Sequence, residues 1–314
     1  MKSIRFQDIQ EAHRRIGHWI HRTPVLTSRL LNGMTGAELF FKCENFQRAG
    51  AFKFRGASNA VLSLSGEEAA RGVLTHSSGN HAGALALAAS LRGVSAYIVM
   101  PHNAPRIKRA AVESYGGIVT ECEPTLAARE AAAAEVQKRT GAVLIHPYDN
   151  WTVIAGQGTA ALELLQDVPD LDAVLAPVGG GGLLSGTAVA TKTLFPGTEV
   201  LGCEPANADD ASRSLRAGKI IPVQNPDTIA DGLRTSLGEK PFAIIRKFVD
   251  DILLVGEKDI VSAMRLIWER MKIVVEPSGA VPFAAVQRHA AHFRGKRVGL
   301  ILSGGNVDLG NLPF

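Results

Sequence analysis

The sequence predicts an α/β protein built on open parallel sheets, and three observations carry that prediction. Short apolar runs alternate with helix-patterned segments from residue 72 to 146 and again from 173 onward. Several of these runs end in Gly-, Ser- or Asn-rich stretches that open the next helix, where open α/β sheets bind ligands. The 314 residues, 46% hydrophobic and 20% charged, suffice for two modest domains or one large domain with an inserted lobe.

Taken in order, residues 6–20 read as an amphipathic helix closing near His21-Arg22-Thr23-Pro24, residues 39–43 as a strand and 54–64 as a helix. Strands at 72–75, 94–100, 117–121 and 142–146 then alternate with helices at 80–91, 104–115 and 127–140. The second half repeats the rhythm, with helices at 154–165, 182–194, 261–271 and 277–291 and strands at 173–177, 199–202 and 297–302. Residues 205–238 are rich in turn signals and read as loop. We expect a small lobe, residues 67–149, inserted into a larger one made of residues 1–66 and 150–314.

Composition excludes several classes. The net charge of +4 is dispersed, and no Lys/Arg block interleaves with aromatics as a nucleic-acid surface requires. Cys43, Cys122 and Cys203 are odd in number and far apart, which argues for reduced thiols in a cytoplasmic compartment. No secretory h-region follows Met1, and the alanine-rich runs are too short or too flanked by charge to span a bilayer.

Chemistry concentrates in four stretches. Lys53 sits between Phe52 and Phe54 where a strand turns into a helix. Desolvation there favours the neutral amine, the form that condenses with an aldehyde. In Thr75-His76-Ser77-Ser78-Gly79-Asn80-His81 a helix N-terminus with hydroxyl and amide donors offers a carboxylate or phosphate site, beyond what an ordinary N-cap needs. Gly179, Gly180, Gly181 and Gly182 join a buried strand to a helix. Their backbone can fold round one phosphate, but the run is neither a Walker A loop nor a dinucleotide fingerprint. Ser303 ends the last strand, placed to offer a hydroxyl to a bound group. An aldehyde-reactive amine, a one-phosphate cradle and a carboxylate loop are what pyridoxal phosphate acting on an amino acid requires.

The chain resembles the fold type II pyridoxal-phosphate enzymes of the serine/threonine dehydratase family, the tryptophan synthase β-like group. Within it the chain is similar to serine racemases and 3-hydroxyaspartate ammonia-lyases. The matching stretches run nearly end to end: Thr23-Pro24-Val25-Leu26, the Lys53 segment, the Ser77 loop, Ala155-Gly156-Gln157-Gly158-Thr159, the four glycines, Glu204-Pro205-Ala206-Asn207-Ala208-Asp209-Asp210, Ala230-Asp231-Gly232, Glu276-Pro277-Ser278-Gly279 and Ser303-Gly304-Gly305-Asn306-Val307-Asp308.

The resemblance implies two lobes with the active site between them. Lys53 would carry the cofactor and move the Cα proton on one face, with Phe52 beside the ring. Asn80 would bond the phenolic oxygen, the four glycines the phosphate, and Ser303 the pyridine nitrogen. Ser77, Ser78, Gly79 and His81 would grip the substrate carboxylate, with Ser78 as acid/base on the opposite face. It also implies a divalent cation (Mg2+, Ca2+ or Mn2+) on Glu204, the carbonyl of Ala208 and Asp210, hard oxygen ligands of the type these ions prefer, and a homodimer.

The expected activity is β-elimination from serine, threonine or 3-hydroxyaspartate, with serine racemisation as the alternative. A rival of another class is a non-catalytic binder of a phosphorylated small molecule. Gly83 stands where relatives carry a glutamine that in the animal racemase helps bind a nucleotide, so ATP activation is not expected. Tyr148 replaces an asparagine of the animal racemase, as in the microbial dehydratases. The chain stops soon after Asp308, so a C-terminal regulatory domain and isoleucine feedback are not expected.

Overall fold

The computed structural model describes residues 3–104 and 106–314. The strands are β1 (Val25–Leu26), β2 (Glu38–Cys43), β3 (Val73–His76), β4 (Ala96–Pro101), β5 (Ile118–Cys122), β6 (Val143–Leu144), β7 (Ala173–Pro177), β8 (Glu199–Pro205), β9 (Asp251–Val255) and β10 (Arg297–Leu302). The helices of the first half are α1 (Phe6–Ile16), α2 (Arg29–Thr35), α3 (Lys53–Leu62), α4 (Gly66–Arg71), α5 (Asn80–Arg92), α6 (Arg106–Ser114) and α7 (Leu126–Thr140). Those of the second are α8 (Trp151–Asp167), α9 (Gly182–Leu194), α10 (Asp210–Ala217), α11 (Glu239–Phe248), α12 (Glu257–Leu266), α13 (Pro277–Arg288) and α14 (Ala290–Phe293).

Two sheets organise these elements. One has six strands in the order β1-β2-β10-β7-β8-β9, the other four in the order β5-β4-β3-β6. All pairings are parallel except β1 against β2. Parallel strands buried on both faces need continuous apolar sequence, which β7 and the inner residues of β10 supply. Leu39, Leu175, Leu201 and Leu300 belong to a core of the larger sheet, while Ile98, Leu85 and Val112 share a second core with Ile16, Phe54, Val61 and Val153, which ties the smaller sheet to α1, α3 and α8.

Local chemistry sets the helix ends. Asn150 Oδ1 caps α8 by accepting the amides of Thr152 at 2.9 Å and Val153 at 3.2 Å. Ser65 and Glu68 close a capping box on α4, which buries none of its own residues. The Ala155-Gly156-Gln157-Gly158-Thr159 stretch proves to be a packing device. A Cβ on Gly156 would lie 2.7 Å from the Arg55 carbonyl, and one on Gly186 2.5 Å from the Gly158 amide. Glycine there lets α8 lie directly against α3, which carries Lys53, and α9, which follows the glycine run.

The structure departs from the sequence expectations in places. The first helix stops at Ile16, because a turn through Gly17 brings Ile20 back to the core, its amide on the Ile16 carbonyl at 3.2 Å. The stretch expected as loop contains α10, whose buried face is small: Ala211, Ser212 and Ser214 with Asp210. The expected helix 261–271 begins earlier, as α12, and ends in a π-helical turn, Ile267–Met271.

Candidate active site

The chemistry-bearing residues gather at the carboxyl ends of β2, β3, β7 and β10. From β2 the chain runs through two short 3-10 turns, Glu44–Phe46 and Arg48–Gly50, into α3 with Lys53 as its first residue. Backbone bonds fix this segment to the end of β10: Phe52 N–H donates to the Ser303 carbonyl at 3.0 Å and Gly305 N–H to the Gly50 carbonyl at 2.9 Å. Lys53 and Ser303, 250 positions apart by their numbers, are thereby held in one floor.

The Lys53 side chain is partly open to the cleft, and its Nζ donates to the Pro147 carbonyl at 3.0 Å and lies 5.1 Å from the centre of the Phe52 ring. Burial of the amine lowers its pKa from 10.5 to about 8, against the opposing pull of the Glu276 carboxylate. Glu276 precedes α13 and is buried; burial, reinforced by the charge of Asp231, raises its carboxyl to about 7. Asn80 joins this acid to the smaller sheet unit. Its Nδ2 donates to Glu276 Oε1 at 2.8 Å and Oε2 at 3.1 Å, and its Oδ1 accepts from Asn306 Nδ2 at 3.0 Å.

Ser77, Ser78 and Gly79 link β3 to α5, and Asn80 and His81 open that helix. First-turn amides have no intrahelical acceptor, and with the helix dipole they make a site for a carboxylate. The His81 ring is buried: Nε2 lies 3.2 Å from the Ile145 carbonyl, and Nδ1 has no hydrogen-bond partner among the described residues. Burial, aided by the nearby Lys53 charge, lowers its pKa to about 3. His81 is therefore a neutral group, not a cation opposite the carboxylate, and its backbone N–H is the better donor.

The glycine run forms the opposite wall. Gly181 caps α9 at φ +87°, a left-handed conformation that favours glycine. A Cβ on Gly180 would fall 2.2 Å from the Tyr148 ring, and one on Gly179 would press on Leu233 Cα at 3.0 Å and the Gly232 carbonyl at 3.1 Å. A cradle that any larger residue would fill, opening the 13-residue α9, suits a phosphate. Ser303 is 2% exposed and follows β10 beside the Lys53 segment, its carbonyl holding the Phe52 amide. An amine poised near neutrality, the cradle and the Ser303 hydroxyl together fit a phosphorylated pyridine aldehyde.

Sequence reading did not assign the side chains that complete the site. Glu276 stands in the Glu276-Pro277-Ser278-Gly279 stretch, whose sequence does not disclose its contact with Asn80. His76, His146 and Tyr148 stack edge to face at centroid distances of 5.6 and 4.6 Å. Burial lowers His146 to about 4 and also lowers His76, with the Arg129 charge adding to the latter. Arg129 and Glu130, neighbours on α7, act on His76 with opposite signs.

Away from the cleft, Glu204 Oε1 and Oε2 accept the Ala211 and Ser212 amides at 2.9 and 3.0 Å. Asp210 Oδ2 accepts the Leu237 amide at 3.2 Å, while its buried Oδ1 has no partner among the described residues. Ala208 lies on the 3-10 turn between them. No cluster of three or more His, Cys, Asp and Glu side chains is gathered for a metal among the described residues, so a cation here needs carbonyl or water ligands as well.

A family profile described as "Pyridoxal-phosphate dependent enzyme" matches residues 16–304. The β-hydroxyaspartate dehydratase of Paracoccus denitrificans is 52% identical over 309 residues, covering 98% of each chain. The serine racemase of Arabidopsis thaliana is 52% identical over 311 residues, covering 97% of this chain and 93% of its own. The crystal structure of serine racemase from Dictyostelium discoideum superposes with a TM-score of 0.94 at 50% identity, covering 98% of this chain and 100% of that one.

Proposed function

The chain belongs to the pyridoxal-phosphate-dependent enzymes, and from that premise we propose that it releases ammonia and a 2-oxo acid from a small β-hydroxy amino acid, with serine racemisation as the second activity of the same site. The observation that supports this reading is the Lys53 amine on the Pro147 carbonyl, with buried Glu276 bonded to Asn80 at the first turn of α5 and the glycine run opening α9. Bound pyridoxal phosphate supplies an electron-withdrawing ring that makes the substrate Cα–H acidic.

The protein's residues do the rest. Lys53 would hold the cofactor and, as a neutral amine, would take the Cα proton from its side. Phe52 would pack beside the cofactor ring, and Asn80 would bond its phenolic oxygen. Gly179, Gly180, Gly181 and Gly182 would hold its phosphate. Ser77, Ser78, Gly79 and His81 bind the substrate carboxylate, His81 through its backbone. The proton lost from Cα balances the one the β-hydroxyl needs to depart as water, and a second water would convert the released enamine to ammonia and the 2-oxo acid. Ser78, on the opposite face, returns a proton there when the outcome is racemisation. The boundaries 67–149 for the clamping lobe, and 1–66 with 150–314 for the cofactor lobe, follow this division of labour.

A dicarboxylic substrate, 3-hydroxyaspartate, is favoured within the class. The 52% identity with the β-hydroxyaspartate dehydratase of Paracoccus denitrificans supports this choice. Incubating the holoenzyme with 3-hydroxyaspartate, L-serine and L-threonine while following 2-oxo acid, ammonia and D-serine tests this directly. We expect oxaloacetate and ammonia to form fastest. Absence of 2-oxo acid from every substrate overturns the lyase reading, and D-serine alone would leave the racemase.

Ser303 biases the outcome toward elimination. A neutral hydroxyl cannot hold a proton on the ring nitrogen as a carboxylate would, so charge left at Cα is less stabilised and a β-leaving group departs more readily. Ser303→Asp is expected to lower the elimination rate by about tenfold or more. An unchanged ratio of 2-oxo acid to D-serine would count against this account.

Glu204, the carbonyl of Ala208 and Asp210 are proposed to hold Mg2+, Ca2+ or Mn2+, with the unpartnered Asp210 Oδ1 as the free ligand atom. Chelation should then lower thermal stability in the wild type but not in Asp210→Asn; equal melting curves with and without chelator would remove the ion.

The homodimer reading is supported by Phe46, Val274 and Phe314, large exposed apolar side chains on neighbouring segments. Asn45 Nδ2 bonds the Val274 carbonyl at 3.0 Å, and Phe314 stacks on Trp268 at 5.6 Å. A cytoplasmic location is proposed from the three free thiols. No helix among the described residues is long and apolar enough to cross a membrane.

A further inference from the structure

We propose that Lys108 and Asp231 form a latch that holds the cleft closed over bound substrate, making both of them positioning residues for the reaction. Lys108 lies on α6, part of the unit built on the four-stranded sheet; Asp231 opens a 3-10 turn, Asp231–Leu233, in the unit built on the six-stranded sheet. Their side chains form an ion pair between Lys108 Nζ and Asp231 Oδ2. Among the described residues the only other ion pair between residues 67–149 and the rest of the chain is Asp149–Lys240, at the chain connection itself.

The two ends of the pair are built differently. Asp231 stands on a rigid platform. Gly232 N–H donates to Ser278 Oγ at 3.1 Å, Leu233 N–H to the Ala230 carbonyl at 2.9 Å, and Arg234 Nε to the Thr228 carbonyl at 2.8 Å. The same platform presses on Gly179, so it also forms a wall of the phosphate cradle. On α6, Arg109 is already taken by Glu113 and Glu121 of its own unit, whereas the acid that meets Lys108 belongs to the other unit. Lys108 is thus the α6 cation whose acid lies across the mouth.

Closure has to be reversible. Asn80 reaches Glu276 and Lys53 reaches the Pro147 carbonyl across the cleft, so groups on opposite sides must part for an amino acid to enter. A pair at the rim, with Lys108 22% and Asp231 45% exposed, is strong enough to bias closure and weak enough to release it. The latch also bears on the interior, because Asp231 acts electrostatically on Glu276 and Lys108 opposes it.

The inference rests on the lyase reading, and the test separates the two. In holoenzyme, Lys108→Met and Asp231→Asn should each raise KM about three- to fivefold with kcat within about twofold, by the same factor for L-serine and 3-hydroxyaspartate. The wild-type KM should rise with salt toward the variants' value while theirs stays flat, and the exchanged pair Lys108→Asp with Asp231→Lys should recover most of the loss. If Lys108 instead touches substrate, only the dicarboxylate is affected and Asp231→Asn does not raise its KM; that result overturns the latch. If wild type turns over none of the substrates, the lyase reading has failed. The latch is then judged on amide exchange across residues 106–114 of the holoprotein, where faster exchange in Lys108→Met supports it and unchanged exchange overturns it.

Discussion

Lys53→Ala is expected to cut turnover of every β-hydroxy amino acid by roughly 10^4-fold, because it removes the amine that would carry the cofactor and take the Cα proton. The purified variant should be colourless, and borohydride should fix no cofactor mass on it, whereas the wild type should be yellow and carry one adduct at Lys53. A variant that still turns over substrate at a tenth of the wild-type rate would show that another residue does this work. The pKa adds a pH signature. With Lys53 held near 8 rather than 10.5, the neutral fraction of the amine in apo-protein should rise about tenfold per pH unit up to about 8 and then level. Capture of the cofactor aldehyde should follow that curve. Stability carries the matching sign. Between about 8 and 10.5 the unfolded chain binds more protons at this lysine than the folded one, so wild-type apo-protein should gain stability with rising pH relative to Lys53→Ala. Below about 8 both states are protonated, and the difference between the two proteins should be flat.

That lysine was legible in the sequence because its surroundings are local: a strand, a glycine-containing turn and two flanking phenylalanines within a short stretch. The glycine run and the Ser77 loop were legible for the same reason, each being one strand end with its following helix. What stayed hidden depends on residues far apart in the chain. Glu276 matters through Asn80, 196 positions away, and Lys108 through Asp231, 123 positions away. His81 looked like a carboxylate ligand by its place in the motif. Only the packing of α5 against Ile145 shows its ring facing inward. The helix α10 is not legible because so short a segment among turn residues gives periodicity little to work with. The least legible feature lies directly beneath the active site, where four charges are buried together.

Arg55 follows Lys53 by two positions and is completely buried. Its Nε and NH2 donate to the two oxygens of Glu44 at 2.7 and 2.8 Å, and its NH1 and NH2 to the two oxygens of Glu163 at 2.8 and 2.7 Å. Lys42 Nζ, also buried, donates to Glu163 at 2.7 Å and to the Thr23 carbonyl at 2.7 Å, and Thr23 donates to Glu44 at 2.6 Å. Two bases and two acids cancel, and the fork of the guanidinium satisfies both carboxylates at once. Burial pushes the Glu163 carboxyl up, but Arg55 and Lys42 together hold it below its usual value. Arg55→Met would leave two buried carboxylates facing Lys42 alone. The expected cost is about 3–5 kcal/mol, seen as a melting temperature lower by roughly 5–10 °C. Pairing it with Glu163→Gln restores neutrality, so the double variant should lose less than the sum of the two single losses. Additive losses would mean that the charges act independently and that the network is not a unit. Because Arg55 anchors the first turn of α3, the single variant should also lose borohydride-fixable cofactor at temperatures where it is still folded. A variant that melts early yet keeps full cofactor occupancy below its transition would limit the network to stability and leave the placement of Lys53 to the backbone bonds from Ser303 and Gly305.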